Sequence, residues 1–184
     1  MNVMKVLLVI LSNIEKSIMD ELIAHLSNYG LKVDILFDSR KYLPISAFNW
    51  DRLQFDAEKA LNFLKNLYDF NYDSIVFIVD ADGYVNSYNF VFGLTIDKVA
   101  IVFTSRLREE FYNRKPNPTL FMERLIKEVT HEIGHTLGLS HCNNMGCVMN
   151  FSNTIEDVDK KEAYFCEKCK YKVNEKLAKY RPQR

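Results

Sequence analysis

Twelve residues, HEIGHTLGLSHC from His131 to Cys142, constrain this chain more than any other stretch. They hold three of its four histidines and one of its four cysteines. Residues four apart on a helix are neighbours, with Cβ atoms about 5–6 Å apart. His131 and His135 can therefore converge on one ion at about 2.0–2.1 Å from each nitrogen. Gly138 follows three residues later, where a positive φ can end the helix and turn the chain back. That turn can bring His141 to the same ion as a third ligand. Three protein ligands leave one position open for water, the pattern of a catalytic zinc site. Zinc lowers the pKa of a bound water to about 7, and Glu132, beside the first histidine, is placed to take the proton and carry it to the leaving group. The chemistry implied is metal-assisted hydrolysis of an amide.

The helix carrying these residues is expected to begin near Leu120, with Thr119 as its cap. At about 100° per residue, Met122, Ile126, Val129, Ile133 and Leu137 fall within roughly 40° of one line, which marks the core face. His131 and His135 fall on the opposite side with Arg124 and Glu128, and the latter two read as a solvated helix surface. A lone histidine is usually structural; two, set four apart and off the core stripe, are harder to read that way.

All four cysteines, Cys142, Cys147, Cys166 and Cys169, lie near the C-terminus. No secretion signal is evident: the apolar run Val6–Leu11 is preceded by a single Lys5 and followed by no small-residue cleavage site. Disulfides are then disfavoured and metal binding favoured, with four reduced thiols the bland alternative. The same run is too short to span a membrane. Lys plus Arg equals Asp plus Glu at 24 each, without the basic excess of a nucleic-acid binder. The lysine-rich stretch from Glu156 to Glu175 is interspersed with acids and reads as a solvated helix face.

Along the chain, Val3–Leu11 reads as a buried parallel strand. A helix from Ile14 to about Asn28 follows, capped by Ser12 or Asn13 and ended by Gly30. Leu31–Phe37 is a second strand, and Asp56 caps a helix to about Tyr68 with Leu61, Leu64 and Leu67 as apolar positions. Ser74–Val79 is a third strand. Alternating strands and helices imply a mostly parallel sheet. Asp80–Asn89 and Arg106–Pro118 are loop-like. Phe90–Ile96 and Val99–Thr104, linked by Asp97-Lys98, suggest a hairpin, hence one antiparallel strand. His25 reads as a surface or boundary residue, and Tyr84, Tyr88 and Phe90 as surface aromatics that could line a cleft or a contact.

HEIGHTLGLSH has the extended zinc pattern of the metzincin metallopeptidases. Cys142, Cys147, Met149 and the Cys166–Cys169 pair follow it, and the string HExxHxxGxxHCxxxxCxM with a later CxxC resembles the archaemetzincins. The match covers His131 to Cys169, with weaker likeness in "VFGLT" and "TSRLR". The resemblance implies that His131, His135 and His141 bind a catalytic zinc and that Glu132 is the general base. It implies that Cys142, Cys147, Cys166 and Cys169 bind a second, structural zinc, which would explain the thiol beside His141. Met149 matches the methionine beneath the catalytic metal. Two residues on, where some metzincin branches carry a tyrosine, stands Phe151, so any oxyanion role there needs another group. "FVFGLTI", Phe90 to Ile96, resembles the edge strand above the cleft.

The expected fold is α/β, a mixed twisted sheet with helices and an active-site helix. Residues 1–137 form an N-terminal lobe, and 138–184 a small C-terminal lobe pinned by zinc, with a final helix from about Cys166 to Lys179. The expected function is a zinc metallopeptidase holding two zinc ions, with the resemblance pointing to an aminopeptidase. The competing class is a non-catalytic zinc protein using its cysteine site as a structural or interaction module. The expected partner is a peptide or protein substrate, with no nucleic acid and no membrane. The expected state is a monomer in the cytoplasm.

Overall fold

The computed structural model describes residues 3–38, 42–68 and 71–180. A five-stranded sheet has the order β2-β1-β5-β8-β7, formed by β1 (Lys5–Leu11), β2 (Lys32–Phe37), β5 (Ser74–Val79), β7 (Gly93–Ile96) and β8 (Val99–Phe103). The first four in that order run parallel, and β7 pairs antiparallel with β8 through the expected Asp97-Lys98 turn. Strand side chains alternate between faces, and both faces of the sheet are covered. Val6, Leu8, Ile10, Val76, Ile78, Ala100 and Val102 share one core with α1 (Lys16–Ser27) and α3 (Pro118–Thr136). Leu7, Val9, Ile75, Phe77, Val79 and Ile101 share the other with α2 (Ala57–Leu67). Burial on both sides explains why β1, β5 and β8 read as unbroken apolar runs.

The long connection 42–56 is more ordered than a plain loop. It holds β3 (Phe48–Asn49) and β4 (Gln54–Asp56), which join β6 (Gly83–Tyr84), inside the expected 80–89 loop, in a second small sheet. Tyr84 is consequently buried rather than a surface aromatic; its hydroxyl lies 3.2 Å from Asn49 Nδ2, and the Arg52 guanidinium lies over its ring. The 106–118 stretch likewise contains two short 3-10 turns, Ser105–Leu107 and Glu109–Tyr112, that bury Leu107.

Several element ends differ from the sequence expectation. Asp56 caps α2 as expected, accepting from the Lys59 amide at 3.1 Å. Leu67, however, is 42% exposed, because the helix ends there and turns the side chain outward. The boundary of α1 is Glu15, with no side-chain cap from Ser12 or Asn13. The α3 cap is Asn117, which accepts from the Leu120 amide at 3.1 Å, and not Thr119. Pro118 decides this, since its missing N–H and fixed φ suit the first helical position. On α3, Val129, Ile133 and Leu137 are core residues as expected, joined by Phe121 and Leu125; Met122 and Ile126 are only half-buried against that core.

Beyond α3 the chain forms α4 (Ile155–Lys160), with a Thr154–Asp157 capping box, and α5 (Glu167–Ala178). Val148, Met149, Val158, Phe165, Val173 and Leu177 bury into the same core as α1 and α3. His25 is buried there too, its ring packed against Tyr29 and Tyr164. The C-terminal segment folding back over α1 is what removes it from the surface.

Candidate metal centre

Two structural features bring the three histidines together. The helix sets His131 and His135 on one face, with ring centroids 4.6 Å apart. Gly138, at φ +85°, then closes α3: its amide donates to the His135 carbonyl at 2.8 Å, and Leu139 donates to the Gly134 carbonyl at 3.0 Å. That pair of bonds is a Schellman motif, and it reverses the chain within three residues. His141 thereby reaches the other two rings, with its Nε2 3.2 Å from that of His135. The Nε2 atoms of His131 and His135 are 3.0 Å apart.

The proton positions follow from the other side of each ring. His131 Nδ1 lies 2.7 Å from the Val148 carbonyl, and His135 Nδ1 lies 2.8 Å from that of Leu139. A carbonyl only accepts, so both Nδ1 atoms carry the proton and both Nε2 atoms present lone pairs. The lone pairs of His131 and His135 face each other with no proton between the neutral rings, and the Nε2 of His141 meets them at the same point. Tetrahedral ligation at about 2.05 Å would set neighbouring nitrogens about 3.3 Å apart, close to the spacing seen. Burial holds all three imidazoles below their ordinary pKa, His131 most strongly, with the Lys161 charge reinforcing it for each. The triad is therefore neutral at pH 7, as metal ligation requires.

Glu132 lies beside this point and is almost fully buried. Burial pushes its carboxyl up to about 8; the Thr95 hydroxyl opposes this and the nearby Glu128 adds to it. Thr95, on β7, donates to Glu132 Oε2 at 2.5 Å. Gly93 on the same strand passes so close that a Cβ would strike the Glu132 carboxylate. Sequence reading noted this strand but missed both residues as partners of Glu132. A glycine inside a strand, marking a close approach, was the available signal.

The site opens into a cleft of about 620 Å³. One wall is β7, which pairs only with β8 among the described strands and leaves its other edge along the cleft. Phe151 lines the cleft too, its ring 4.9 Å from that of His141 and 5.5 Å from that of Tyr88. Tyr88 and Phe90 line the cleft as well. Met149 is fully buried, with its sulfur against Gly134, where any Cβ would collide.

The outer face of α3 is not the solvated surface expected of it. Arg124 is 1% exposed; it makes a paired contact with Asp159 at 2.7 Å for both nitrogens, and bonds Glu109 and the Leu107 carbonyl. Glu128 is buried against Lys161 at 2.8 Å, so Lys161 does not belong to a solvated face either. Helical periodicity cannot see this, because both partners come from the segment that α4 lays across α3.

The four cysteines also assemble, their sulfurs all within 4.8 Å of one another. Cys142 and Cys166 sulfurs stand 3.8 Å apart, and all four cysteines are free of disulfides. Four sulfurs at about 2.3 Å from a tetrahedral zinc would be about 3.8 Å apart. Burial pushes the Cys147 and Cys169 thiols up, whereas at Cys166 the Cys169 amide and the neighbouring thiols outweigh burial and bring it down to about 7. A thiolate at that position makes the group chemically fit for a metal.

Facing nitrogen lone pairs call for a dication, and a carboxylate held beside them in a peptide-sized cleft narrows the class to zinc-dependent metallopeptidases. The comparisons with known proteins place it further. A profile described as "Peptidase family M54" matches residues 1–175. Archaemetzincin of Saccharolobus islandicus strain L.S.2.15 is 71% identical over 180 residues, 98% of each chain. That of Saccharolobus solfataricus is 69% identical over 184 residues, 100% of each. The crystal structure of archaemetzincin from Methanopyrus kandleri superposes with a TM-score of 0.83 at 34% identity, covering 96% of this chain and 97% of that one. The one from Archaeoglobus fulgidus, complexed with malonate, gives 0.75 at 31%, covering 92% and 99%. The chain belongs to peptidase family M54, the archaemetzincins, and is a zinc metallopeptidase of mixed α/β fold.

Proposed function

We propose that the chain hydrolyses peptide bonds at the histidine site, with His131, His135 and His141 holding a catalytic zinc and Glu132 as the proton carrier. The observation that carries this is the convergence of three Nε2 atoms, two with fixed tautomers, beside a buried carboxylate. A zinc ion there supplies Lewis acidity, polarising a carbonyl and acidifying water. The chain's own residues do the rest. The free edge of β7 offers backbone groups to an extended peptide, which orients the scissile bond. Glu132 accepts a proton at its carboxylate and returns it to the departing amine. Its burial favours the protonated form, so it gives up the proton readily only beside a positive charge, which a dication supplies.

A second zinc is held by Cys142, Cys147, Cys166 and Cys169, giving two per chain, the sulfur site closed and structural. It secures the 138–184 part, which supplies His141, Phe151 and Lys161 to a cleft shared with the 1–137 part. Action as an aminopeptidase is supported by the family resemblance alone. The balanced charge of the chain supports a peptide rather than a nucleic-acid partner. No helix among the described residues is long and apolar enough to cross a membrane.

The test is Glu132→Ala with zinc content measured alongside activity. Hydrolysis of a peptide library should vanish while zinc is retained; undiminished hydrolysis would refute the assignment. Blocking the α-amino group of each substrate by acetylation separates an aminopeptidase, which loses activity, from an endopeptidase, which does not.

A further inference from the structure

The wall of the catalytic cleft carries an ion pair that takes no direct part in the steps assigned to the histidines and Glu132. Glu128 and Lys161 both line the cleft, yet their side chains are only 4% and 1% exposed, so they form its inner wall. Glu128 sits one helical turn before Glu132, and Lys161 arrives from the end of α4.

The pair is incompletely satisfied. Lys161 Nζ forms an ion pair with Glu128 Oε1 at 2.8 Å, yet Oε1 is buried with no hydrogen-bond partner among the described residues. The Lys161 ammonium has three protons to donate, and among the described residues its one hydrogen bond is a long one to the Asn150 carbonyl at 3.4 Å. A buried ion pair stabilises a fold little compared with apolar residues of the same size. Packing alone does not account for its place here, whereas unused hydrogen-bonding capacity in the wall of a substrate cleft does.

We propose that Glu128 and Lys161 form the floor of a side-chain pocket that selects a carboxamide residue, glutamine or asparagine, in the substrate. This rests on the reading of the cleft as a peptide site. The selection follows from charge and valence. A substrate carboxylate or ammonium entering the pocket must separate the pair and leave one buried charge without its partner. An apolar side chain dehydrates both groups and satisfies neither. A carboxamide is neutral, donates through nitrogen and accepts through oxygen. Its two polar atoms lie roughly 2.2 Å apart by standard bond lengths, matching a donor and an acceptor 2.8 Å apart. It can bond Glu128 and Lys161 together without parting them. A site built for such groups discriminates strongly, because an analogue lacking them leaves the buried partners unpaired.

The experiment uses zinc-loaded Glu132→Ala protein, so that peptides stay intact, and fluorescence anisotropy with labelled peptides of the form Ala-Ala-Ala-X-Ala-Ala-Ala. With X as Gln or Asn, Kd should be at least about tenfold lower than with Leu, Glu or Lys. Adding Glu128→Met and Lys161→Met, which keep volume but remove both charges, should move the preference to Leu. Should that double change fail to fold, Glu128→Gln keeps the shape but takes the counter-charge from Lys161, and should move the preference from Gln to Glu. Equal binding of all guests, or the same ranking after either change, overturns the pocket while leaving the peptide site intact. Failure of every guest to bind the zinc-loaded protein overturns both.

Discussion

Replacing Arg124 with methionine tests whether the outer face of α3 is an internal surface. Methionine keeps most of the aliphatic volume and removes the guanidinium. The arginine is 1% exposed and makes four polar contacts: two to Asp159 at 2.7 Å, one to Glu109 at 2.8 Å, and one to the Leu107 carbonyl at 3.1 Å. Breaking a buried pair by removing one partner costs about 3–5 kcal/mol, because it leaves charge uncompensated. Asp159 is about one-third exposed and can rehydrate, while Glu109, at 13%, is more enclosed. The cost should fall at the low end, about 3 kcal/mol. For a domain of this size each kcal/mol shifts Tm by roughly 2–4 °C, so a drop of about 6–12 °C is expected. The assay is thermal unfolding of zinc-loaded protein at pH 7 by circular dichroism, with urea midpoints as a check. Asp159→Asn, which keeps the shape but not the charge, should give a smaller drop in the same direction. A change within about 1 °C for Arg124→Met would refute the reasoning, since that is the behaviour of a solvated surface arginine.

Gly93→Ala would push a methyl group into the Glu132 carboxylate. It should lower kcat roughly 10²-fold, the scale of an ångström-level misplacement, with zinc content unchanged; wild-type kcat would show that the strand yields freely. Thr95→Val removes the hydroxyl that holds Glu132 Oε2 and should raise the carboxyl's pKa further, seen as an upward shift of the acidic limb of the rate–pH profile. Metal counting after mild chelation should remove zinc from the partly exposed histidine site before the sulfur cluster, leaving about one ion per chain and no peptidase activity; loss of both together would show that the sites are not independent. In metal-free protein, burial holds His25, His131, His135 and His141 below the unfolded imidazole value. Protons then favour the unfolded chain, so urea midpoints should fall as pH drops through about 6.5 towards the folded values and change little from these groups above about 7. A midpoint that rises between pH 7 and pH 5 would contradict this.

Much of the site was legible because it is local. The spacing of His131 and His135, the turn at Gly138 and the grouping of the cysteines are short-range facts, and the structure brings each set together as expected. The sheet was equally readable, since strands buried on both faces leave continuous apolar runs and Asp97-Lys98 marks a hairpin. What periodicity could not show was the far side of α3. Arg124 meets Asp159 across 35 positions, and Glu128 meets Lys161 across a similar distance, so their polar character mimics a solvent face. The same reason hides His25, which is covered by Tyr164. Thr95 and Gly93 escaped notice because a strand's pattern reports which way residues face and not which side chain comes to meet them.

The open edge of β7 also bears on how the molecule behaves in a crowded solution. A row of unpaired amides and carbonyls is a template for any extended chain, including another copy of this one. The strand limits that risk by its length of four residues and its half-buried position. It also lies in the wall of a concave cleft, which Phe151 and Tyr88 line as well, rather than on an open face. Shortening or unfolding the 85–92 segment, which lines the same cleft, would widen the approach, and the first symptom expected is aggregation on concentration, ahead of any change in turnover.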